Sequence, residues 1–392
     1  MSDRVATVVG GGDDGWGIHY RARCLKDQGQ PVIMLSIGDH DIKTDRTIQD
    51  AMSRSMAAGN LGYAPVEGAQ GLREAIAARV TARSATPATA ANIVVTPGGQ
   101  SALYCAMNAA LDPGQSCVIL DPFYATYQQT VRAAAARPIV VRCLAEDGFQ
   151  PDVASIEAAL EPDTRAILIN SPNNPTGTIY TRMRLQALAE LCQRRGLWLI
   201  SDEVYDTQVW EGEHLSARDL PGMASQTLVA NSLSKSHAMT GSRIGWLVAP
   251  EAVQAKLADL LIATNYGLPG FIQDGAEYAL REAVDAEAAI VERYRTRRAS
   301  ALRALGNGPG FRVVPPQGGM YLMLDIRETG LSGDEFANAL LNEELIGLMP
   351  GESFGEATAG HVRIALTVPE ADLTDALGRI AGFAAGKVRL RA

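Results

Sequence analysis

The sequence predicts an α/β protein in which a mainly parallel seven-stranded sheet forms a large domain beside a smaller α+β domain. Short β-branched runs alternate with Ala-, Leu- and Arg-rich helical stretches through the middle of the chain, and runs such as AILIN and LWLIS are apolar almost throughout. This alternation is typical of a parallel sheet covered by helices on both faces, whose strands have no polar side. After Pro250 long helices and a few strands follow instead, which indicates a second unit.

The elements of the large domain follow one another in a regular order. We predict its strands at residues 93–96, 116–120, 138–142, 166–170, 198–201, 227–230 and 245–249. Helices are predicted at residues 100–110, 124–135, 153–159 and 182–194, between these strands. With the flanking segments, the large domain is expected to span residues 44–285.

The small domain is expected to combine residues 1–43 with residues 286–392. The first forty residues are Gly-rich and then helical from about His19. A helical region at 252–305, interrupted at 265–270, leads out of the large domain. The remaining predicted elements are strands at 311–314, 320–325 and 361–366, a helix at 333–344 and a final helix.

The charge balance and the cysteine content exclude several classes of function. The chain has 392 residues and a formal net charge of −9, so it offers no overall basic surface for nucleic acid or an anionic membrane. Its start does not resemble a signal peptide, and no apolar run has the length of a membrane span. The five cysteines are scattered and the histidines lack metal-binding spacing. We therefore expect a cytoplasmic protein with reduced thiols and without a metal, nucleic-acid or membrane partner.

Polar side chains follow three of the predicted strands at the points where those strands end. Asn174 follows the first, Asp202 and Tyr205 follow the second, and Lys235 follows the third. Because ligands of parallel sheets bind beyond the carboxyl ends of the strands, we expect these groups to share one rim. Taken singly, each has an ordinary interpretation: a turn for the Asn174 segment, a helix cap for Asp202 and a core position for Tyr205.

The segment around Lys235 combines an amine with groups that suit a phosphate. Lys235 lies between two serines, and Arg243 follows eight residues later. An amine forms an imine with an aldehyde, while hydroxyls and a guanidinium bind phosphate, and pyridoxal phosphate carries both groups. A fourth strand end leads through Gly98 and Gly99 into a helix, whose free N–H groups suit an anion. A lysine in a Ser-rich run is more often a solvated surface residue. The prediction of a cofactor site therefore rests on all four strand ends together and not on this run alone.

Six stretches together resemble the class I and II aminotransferases, which are fold type I pyridoxal-phosphate enzymes. They are NSPNNPTG, ISDEVY, NSLSKSHAMTGSR, GYAPVEGAQGLREAI, VVTPGGQSAL and GHVRIAL, and the resemblance covers nearly the whole chain. Within the family the chain is similar to bacterial aspartate, aromatic and arginine–pyruvate aminotransferases. WGIHYRA and LPGM look most like the arginine–pyruvate type.

The resemblance implies roles for residues around the cofactor ring. Lys235 would form the Schiff base with pyridoxal phosphate and shuttle the substrate proton. Asp202 would pair with the ring nitrogen, so that the ring acts as an electron sink. Asn174 and Tyr205 would bond the phenolic oxygen, and Tyr124 would stack on the ring.

The resemblance also implies a phosphate site and a shared dimer. The phosphate would be held by Gly99, Gln100, Ser101, Ser232 and Arg243. Tyr63 matches a tyrosine that reaches the phosphate of the partner subunit in the family, so a homodimer with shared active sites is expected.

Substrate recognition follows from the same resemblance. Arg363 would clamp the α-carboxylate of an amino acid or 2-oxo acid in a ping-pong reaction, because a guanidinium matches a carboxylate with two hydrogen bonds. Asn174 and Gly38 would complete that pocket, and Trp16, with Ile18, Asn265 and Tyr266, would form its wall. A separate hypothesis rests on charge and not on the resemblance. No second arginine is clearly placed for a dicarboxylate, and Asp39, or Asp13 and Asp14, would favour a cationic side chain such as that of arginine.

The sequence departs from the family pattern at residues 38–41, which read Gly-Asp-His-Asp where Gly-x-Pro-Asp is frequent. Without the proline, this turn is expected to be looser, with His40 near the entrance of the site. Ser242 also stands where a tryptophan is frequent. Neither change touches a catalytic group, so an active enzyme is expected.

Single features of the sequence would also suit functions other than aminotransfer. The G-x-G-x-x-G at residues 10–15 would suit an NAD-dependent oxidoreductase, but the apolar run before it is short and two aspartates would face the pyrophosphate. The S-x-x-K ending at Lys235 lacks the further motifs of serine β-lactamases. A transcription regulator would need a DNA-binding module ahead of residue 40. A pyridoxal-phosphate β-lyase or decarboxylase of the same fold stays open.

Overall fold

The computed structural model describes residues 1–10 and 15–389. Its strands are β1 (Ile33–Met34), β2 (Ile93–Pro97), β3 (Ser116–Asp121), β4 (Arg137–Arg142), β5 (Thr164–Asn170), β6 (Trp198–Asp202), β7 (Thr227–Ser232), β8 (Ile244–Val248), β9 (Arg312–Val314), β10 (Tyr321–Asp325), β11 (Ile346–Gly347), β12 (Met349–Pro350) and β13 (His361–Ala365). Its α-helices are α1 (Asp3–Ala6), α2 (Gly17–Asp27), α3 (Arg46–Ala57), α4 (Gln70–Arg83), α5 (Gly99–Ala110), α6 (Tyr127–Ala133), α7 (Val153–Ala159), α8 (Arg182–Arg195), α9 (Leu233–Ser236), α10 (Glu251–Thr264), α11 (Gly270–Arg281), α12 (Val284–Leu305), α13 (Gly333–Glu344) and α14 (Glu370–Arg389).

The large sheet contains the seven strands that the sequence pattern predicts. Their order is β2-β8-β7-β6-β5-β3-β4, and β8 alone runs antiparallel to its neighbours in this sheet. The register sets Asn170 at the end of β5 opposite Asp202 at the end of β6. The predicted α/β fold with a mainly parallel seven-stranded sheet is therefore confirmed, and its strand ends meet at one edge.

Apart from the edge strand β4, which is partly exposed, both faces of the large sheet are buried, and this explains the apolar strands. On β5, Leu168 packs with Met107 of α5 on one face, while Ile167 packs with Leu188 of α8 on the other. Every residue of β3 and β7 is buried. Because a strand alternates sides at each residue, a strand buried on both faces has no place for a polar run.

The C-terminal part has its own antiparallel sheet, in the order β12-β13-β10-β9. Helix α13 has the predicted bounds because Ser332 and Glu335 form a capping box at its start. β1 pairs in parallel with β11, so the N-terminal segment is joined to the C-terminal part. The domain boundaries at 43/44 and 285/286 stay a prediction.

Two helical predictions differ from the structure. α6 begins at Tyr127, not at residue 124, because residues 124–126 form a turn closed by the Tyr127 N–H on the Tyr124 carbonyl. The region at 252–305 is broken a second time at Glu282 and Ala283, between α11 and α12. No glycine or proline marks this second break, so the pattern did not reveal it. No helix in the described ranges is long and apolar enough to cross a membrane.

Candidate active site

A cavity of about 440 Å³ lies at the edge where the ends of β5, β6 and β7 meet. The amide, carboxylate, phenol and amine predicted from the strand ends all line it. Its lining residues are Trp16, Ile37, Gly38, Asp39, Gly99, Gln100, Leu103, Tyr124, Tyr127, Asn170, Asn174, Asp202, Val204, Tyr205, Ser232, Ser234, Lys235, Thr240, Gly241, Arg243 and Tyr321.

Lys235 lies on α9, the short helix that follows β7 directly. Ser232 caps this helix by accepting a hydrogen bond from the Ser234 N–H at 3.2 Å. The Lys235 Nζ donates to the carbonyl oxygen of Gly38 at 2.6 Å. The cap and the carbonyl thus hold the amine in a defined place in the cavity.

Asp202 is a buried carboxylate at the end of β6. Its Oδ2 accepts a hydrogen bond from the Tyr127 hydroxyl at 2.6 Å, and its Oδ1 accepts one from the Val204 N–H at 3.2 Å. Burial raises the pKa of Asp202 to about 6, although both hydrogen bonds act in the opposite direction. Within the described residues Asp202 makes no ion pair, so it suits a cationic partner from a ligand, such as a protonated ring nitrogen.

Four tyrosines line the same cavity as Lys235 and Asp202. Tyr205 is buried, and its hydroxyl lies 3.4 Å from that of Tyr321. Burial raises the pKa of Tyr205 well above its ordinary value and that of Tyr124 to about 12. These phenols are therefore uncharged hydrogen-bonding groups at neutral pH.

An anion site lies at the start of α5. Gly98 precedes this helix with a φ of 82°, and a Cβ there would overlap the guanidinium of Arg243. The Arg243 Nη1 donates to the Thr240 carbonyl at 2.8 Å, and its Nη2 donates to the Pro97 carbonyl at 3.3 Å. A helix start and a guanidinium at one place bind phosphate through N–H groups and positive charge.

Arg363 is a buried guanidinium on β13. Its Nη1 donates to Asn174 Oδ1 at 2.8 Å, and its Nη2 donates to the Ser36 carbonyl at 2.6 Å. The guanidinium lies between the rings of Tyr321 and Phe354, at 4.2 and 4.4 Å from their centroids. Its Nε has no hydrogen-bond partner, and burial lowers the pKa of Arg363. No carboxylate of the described residues neutralises it, so this cation is poised for an anionic ligand.

Most of the residues predicted for the site line the cavity. Ser101 does not, since it is the third residue of α5 and its N–H bonds the Gly98 carbonyl. Arg363 is closed off from solvent, although it contacts Asn174 and Tyr321 in the cavity wall. Tyr63 is 90% exposed and contacts the ring of Tyr266 at 5.2 Å between centroids.

Of the described residues predicted to form the pocket wall, only Trp16 lines the cavity. Trp16 lines the cavity and contacts the Tyr124 ring, at 6.4 Å between centroids. Ile18 is buried in the core of the C-terminal part instead. Asn265 and Tyr266 do not line the cavity, and Asp13 and Asp14 lie outside the described residues.

Several lining residues were missed from the sequence. Tyr127 bonds Asp202, and its position three residues after Tyr124 was an available signal. Asn170 donates to the Asp202 carbonyl at 2.9 Å and accepts from the Asn174 N–H at 2.7 Å. Tyr321 comes from the other sheet, and nothing local in the sequence indicates it.

Comparisons with known proteins agree with this geometry. The family model "Aminotransferase class I and II" matches residues 30–380. The chain belongs to this family. An arginine–pyruvate transaminase of Pseudomonas aeruginosa is 43% identical over 384 residues, covering 98% of both chains. An aspartate/prephenate aminotransferase of Thermus thermophilus is 35% identical over 373 residues, covering 93% of this chain and 94% of that one.

Solved structures of this family have the same fold. The aspartate aminotransferase of Thermus thermophilus with maleate superposes with a TM-score of 0.90 at 33% identity, covering 98% of this chain and 99% of that chain. The aspartate aminotransferase of Thermotoga maritima gives 0.91 at 32% identity with the same coverage.

The aminotransferase is therefore a pyridoxal-phosphate enzyme that moves amino groups between amino acids and 2-oxo acids. The predicted family, cofactor and activity are confirmed, and the oxidoreductase, β-lactamase, regulator and lyase alternatives are not favoured. The cavity fits the cofactor, because an amine, an unpaired buried carboxylate and an anion site line it together.

The raised pKa of Asp202 predicts that Asp202→Asn stabilises the cofactor-free protein above neutral pH. Well below pH 4 the folded and unfolded chains both hold this proton. Between about pH 4 and 6 the folded chain holds it while the unfolded chain has largely lost it, so stability falls as pH rises. The ionised carboxylate then costs about 3 kcal/mol of folding free energy. We expect the variant to have a higher Tm at pH 8, with a difference that narrows towards pH 4. A difference that does not change with pH would contradict this explanation.

Proposed function

We propose that this aminotransferase holds pyridoxal phosphate through Lys235 and Asp202 and uses L-arginine and pyruvate as its substrates. The observation that carries the first part is that one cavity contains the Lys235 amine, the unpaired Asp202 carboxylate and the anion site at Arg243. The second part is supported by Asp39 at the same cavity and by the arginine–pyruvate relative.

In this proposal the cofactor ring is held between Asp202 and the tyrosines. Asp202 would bond the ring nitrogen and keep it protonated, with Tyr127 fixing the orientation of the carboxylate. Asn174 and Tyr205 would donate to the phenolic oxygen, and Tyr124 would pack on the ring face. The bound cofactor supplies an electron sink for the pair of electrons left when the substrate Cα loses its proton.

The phosphate would be held at the start of α5 and by the Lys235 segment. The groups that would bind it are the N–H groups and side chains of Gly99, Gln100, Ser101, Ser232 and Arg243. Ser101 does not line the cavity, and its N–H is already bonded to the Gly98 carbonyl, so of this set it would contribute least to the phosphate site.

Lys235 would have two roles: it would anchor the cofactor, and it would move a proton at the substrate Cα. When the amine is not bonded to the cofactor, it needs a defined position in the cavity. The Gly38 carbonyl, 2.6 Å from Nζ, accepts a hydrogen bond at such a position. A base held at one point is effective because it spends little of its time away from the reacting proton.

Arg363 would bind the substrate α-carboxylate, with Asn174 and Gly38 completing that pocket and Trp16 forming its wall. The guanidinium is already bonded to Asn174, and its Nε is unused. A carboxylate would neutralise a buried charge that has no ion pair among the described residues, which is a strong source of binding free energy.

Asp39 would recognise the distal charge of the substrate. It lines the cavity, and its Oδ1 accepts a hydrogen bond from Thr240 at 2.9 Å, which leaves Oδ2 for a ligand. The cations that line the cavity in the described part of the chain are Lys235 and Arg243. In this proposal Lys235 binds the cofactor aldehyde and Arg243 binds its phosphate. A distal carboxylate would therefore meet Asp39, whereas a guanidinium would be attracted by it.

L-Citrulline tests this assignment because it has nearly the shape of L-arginine but no charge. We expect the wild-type enzyme to favour arginine over citrulline in kcat/KM by about tenfold or more, as expected for a charge-assisted hydrogen bond. Asp39→Asn should reduce this preference severalfold and leave kcat/KM for citrulline nearly unchanged. An unaltered preference in the variant, or equal wild-type rates with aspartate and arginine, would sink the assignment while leaving the cofactor roles intact.

We further propose a homodimer with shared active sites. Leu61, Tyr63 and Tyr266 are large side chains that are 64%, 90% and 53% exposed in the single chain, and the two tyrosine rings touch. Large exposed side chains of this kind suit burial by a second copy. Tyr63 of one subunit would then reach the cofactor phosphate of the other.

Tyr63→Phe is expected to weaken cofactor binding without dissociating the dimer. The hydroxyl would be lost from the phosphate site, which should raise the Kd for pyridoxal phosphate by about 2- to 10-fold. Sedimentation velocity should give a dimer mass for both proteins. A monomer at micromolar concentration, or an unchanged Kd, would contradict the shared site.

We also propose a cytoplasmic location and the domain division 44–285 against 1–43 with 286–392. The five cysteines form no disulfide in the structure, and four of them are buried, which suits a reducing compartment. The strands of the seven-stranded sheet fall within 93–248, and the four-stranded sheet lies beyond residue 311. Limited proteolysis that cuts first near residues 43 and 285 would support this division.

A further inference from the structure

Residues 36–44, here called the connecting segment, touch the Lys235 region through several hydrogen bonds. The Gly38 carbonyl accepts from Lys235 Nζ at 2.6 Å. The Thr44 hydroxyl donates to the Ala238 carbonyl at 2.7 Å. The amine is therefore positioned partly by a segment that is remote from it in sequence.

The other side of the connecting segment is fastened to helix α12. Arg297 donates to both carboxylate oxygens of Asp41, at 2.8 and 2.6 Å, and its side chain is only 4% exposed. Tyr294, three residues earlier on the same helix, is fully buried and bonds His40 at 2.9 Å. Residues three apart share one helix face, so α12 holds residues 40 and 41 together.

His40 contacts both sides of the connecting segment. Its Nε2 lies 3.0 Å from the Ser234 carbonyl, next to Lys235, and its Nδ1 lies 2.9 Å from the Tyr294 hydroxyl. A carbonyl only accepts, so Nε2 carries the proton and Nδ1 accepts from Tyr294 in the uncharged ring. Burial, aided by the charge of Lys235, lowers the pKa of His40 to about 4, so the ring is uncharged at neutral pH.

This arrangement differs from the looser turn that the sequence suggested. The loss of proline at position 40 removes a backbone constraint, but the imidazole supplies two hydrogen bonds in its place. Gly38 is also closely packed, since a Cβ there would overlap the Tyr321 hydroxyl. The carbonyl that receives Lys235 is thus held from both ends of residues 38–40.

We propose that His40 is a positioning residue, which ties helix α9 to helix α12 and thereby holds the Lys235 amine at the Gly38 carbonyl, in the position needed for proton transfer. This inference rests on the proposed role of Lys235 as the group that moves the substrate proton. Its effect is specific to that step, because a displaced base slows proton transfer without weakening the binding of the substrate carboxylate.

Four variants separate positioning from simple packing. His40→Phe keeps an aromatic ring and removes both hydrogen bonds, and His40→Gln restores an N–H donor for the Ser234 carbonyl. Tyr294→Phe removes only the bond to helix α12. Tyr180→Phe, which deletes another buried tyrosine hydroxyl in the core beneath α8, is the matched control.

The readouts are kcat, KM, the isotope effect with α-deuterated substrate, and amide exchange of the holoenzyme. We expect His40→Phe to lower kcat by about 10-fold or more, with KM within about twofold and a larger deuterium isotope effect. Exchange should rise in peptides covering residues 36–44 and 233–240. His40→Gln should recover part of kcat, Tyr294→Phe should give a smaller loss of the same kind, and Tyr180→Phe should behave as wild type.

An unchanged isotope effect in His40→Phe would overturn the inference, even if Tm or kcat fell, because it would indicate a merely structural role. Full activity in His40→Phe would overturn it as well. If Lys235→Ala retained transaminase activity, the proposed role of Lys235 would be wrong instead. An unexpected result for His40→Phe thus contradicts the positioning role of His40, whereas an unexpected result for Lys235→Ala contradicts the proposed role of Lys235.

Discussion

Lys235→Ala is expected to lower kcat for transamination by about 10⁴-fold or more, the largest effect of any single change in this enzyme. In the proposed mechanism the variant loses both the covalent anchor of the cofactor and the base that acts at the substrate Cα. No other amine among the described residues lines the cavity, so none replaces it. Single-turnover absorbance with L-arginine, monitored over hours, measures the residual rate.

Lys256→Ala is the matched control for this change. Lys256 is an exposed lysine on α10 whose side chain is 85% accessible and pairs with Asp259. It should retain wild-type kcat and cofactor content. Residual activity in Lys235→Ala above about one per cent of wild type would mean that another group moves the proton.

Arg363→Lys is expected to lower kcat/KM by about 10²- to 10³-fold, mainly through KM. Lysine keeps the positive charge but lacks the planar fork that bonds a carboxylate twice. It also leaves Asn174 Oδ1 and the Ser36 carbonyl without the donors that Arg363 supplies at 2.8 and 2.6 Å. Steady-state kinetics over a wide range of amino acid concentrations separate KM from kcat.

Agmatine, which is arginine without its carboxylate, tests whether Arg363 acts on that group. The wild-type enzyme should favour arginine over agmatine strongly, and Arg363→Lys should lose most of this preference. Arg312→Gln, at an exposed site on β9, is the control and should leave both substrates unaffected. If the variant retained the full preference for arginine, the carboxylate would bind elsewhere.

The large sheet was predictable because its signals are local. Apart from the partly exposed edge strand β4, the strands are apolar runs with buried residues on both faces. The rule that ligands bind at the carboxyl ends of parallel strands predicts that Asn174, Asp202 and Lys235 lie together, and all three line the cavity. Helix α13 was also predicted to the residue, and its start is fixed by a local signal, the capping box of Ser332 and Glu335.

Other parts of the site depend on contacts between distant segments. Tyr321 and Arg363 come from the second sheet, and Arg363 was recognised as a site residue only through the family resemblance. The resting bond of Lys235 on Gly38 joins residues 197 positions apart. A pattern along the chain cannot indicate such pairs. The proposed role of His40 likewise depends on its hydrogen bonds to Ser234 and Tyr294, which are distant in sequence.

The near-UV and visible spectrum of the purified enzyme, titrated with single amino acids, tests the central claim most directly. We expect pyridoxal phosphate to give a lysine-linked absorbance band that L-arginine bleaches and pyruvate restores, and we expect Lys235→Ala to lack that band. If the wild-type protein took up no cofactor, or if its band responded to no amino acid, the assignment of this cavity as a transaminase site would be contradicted.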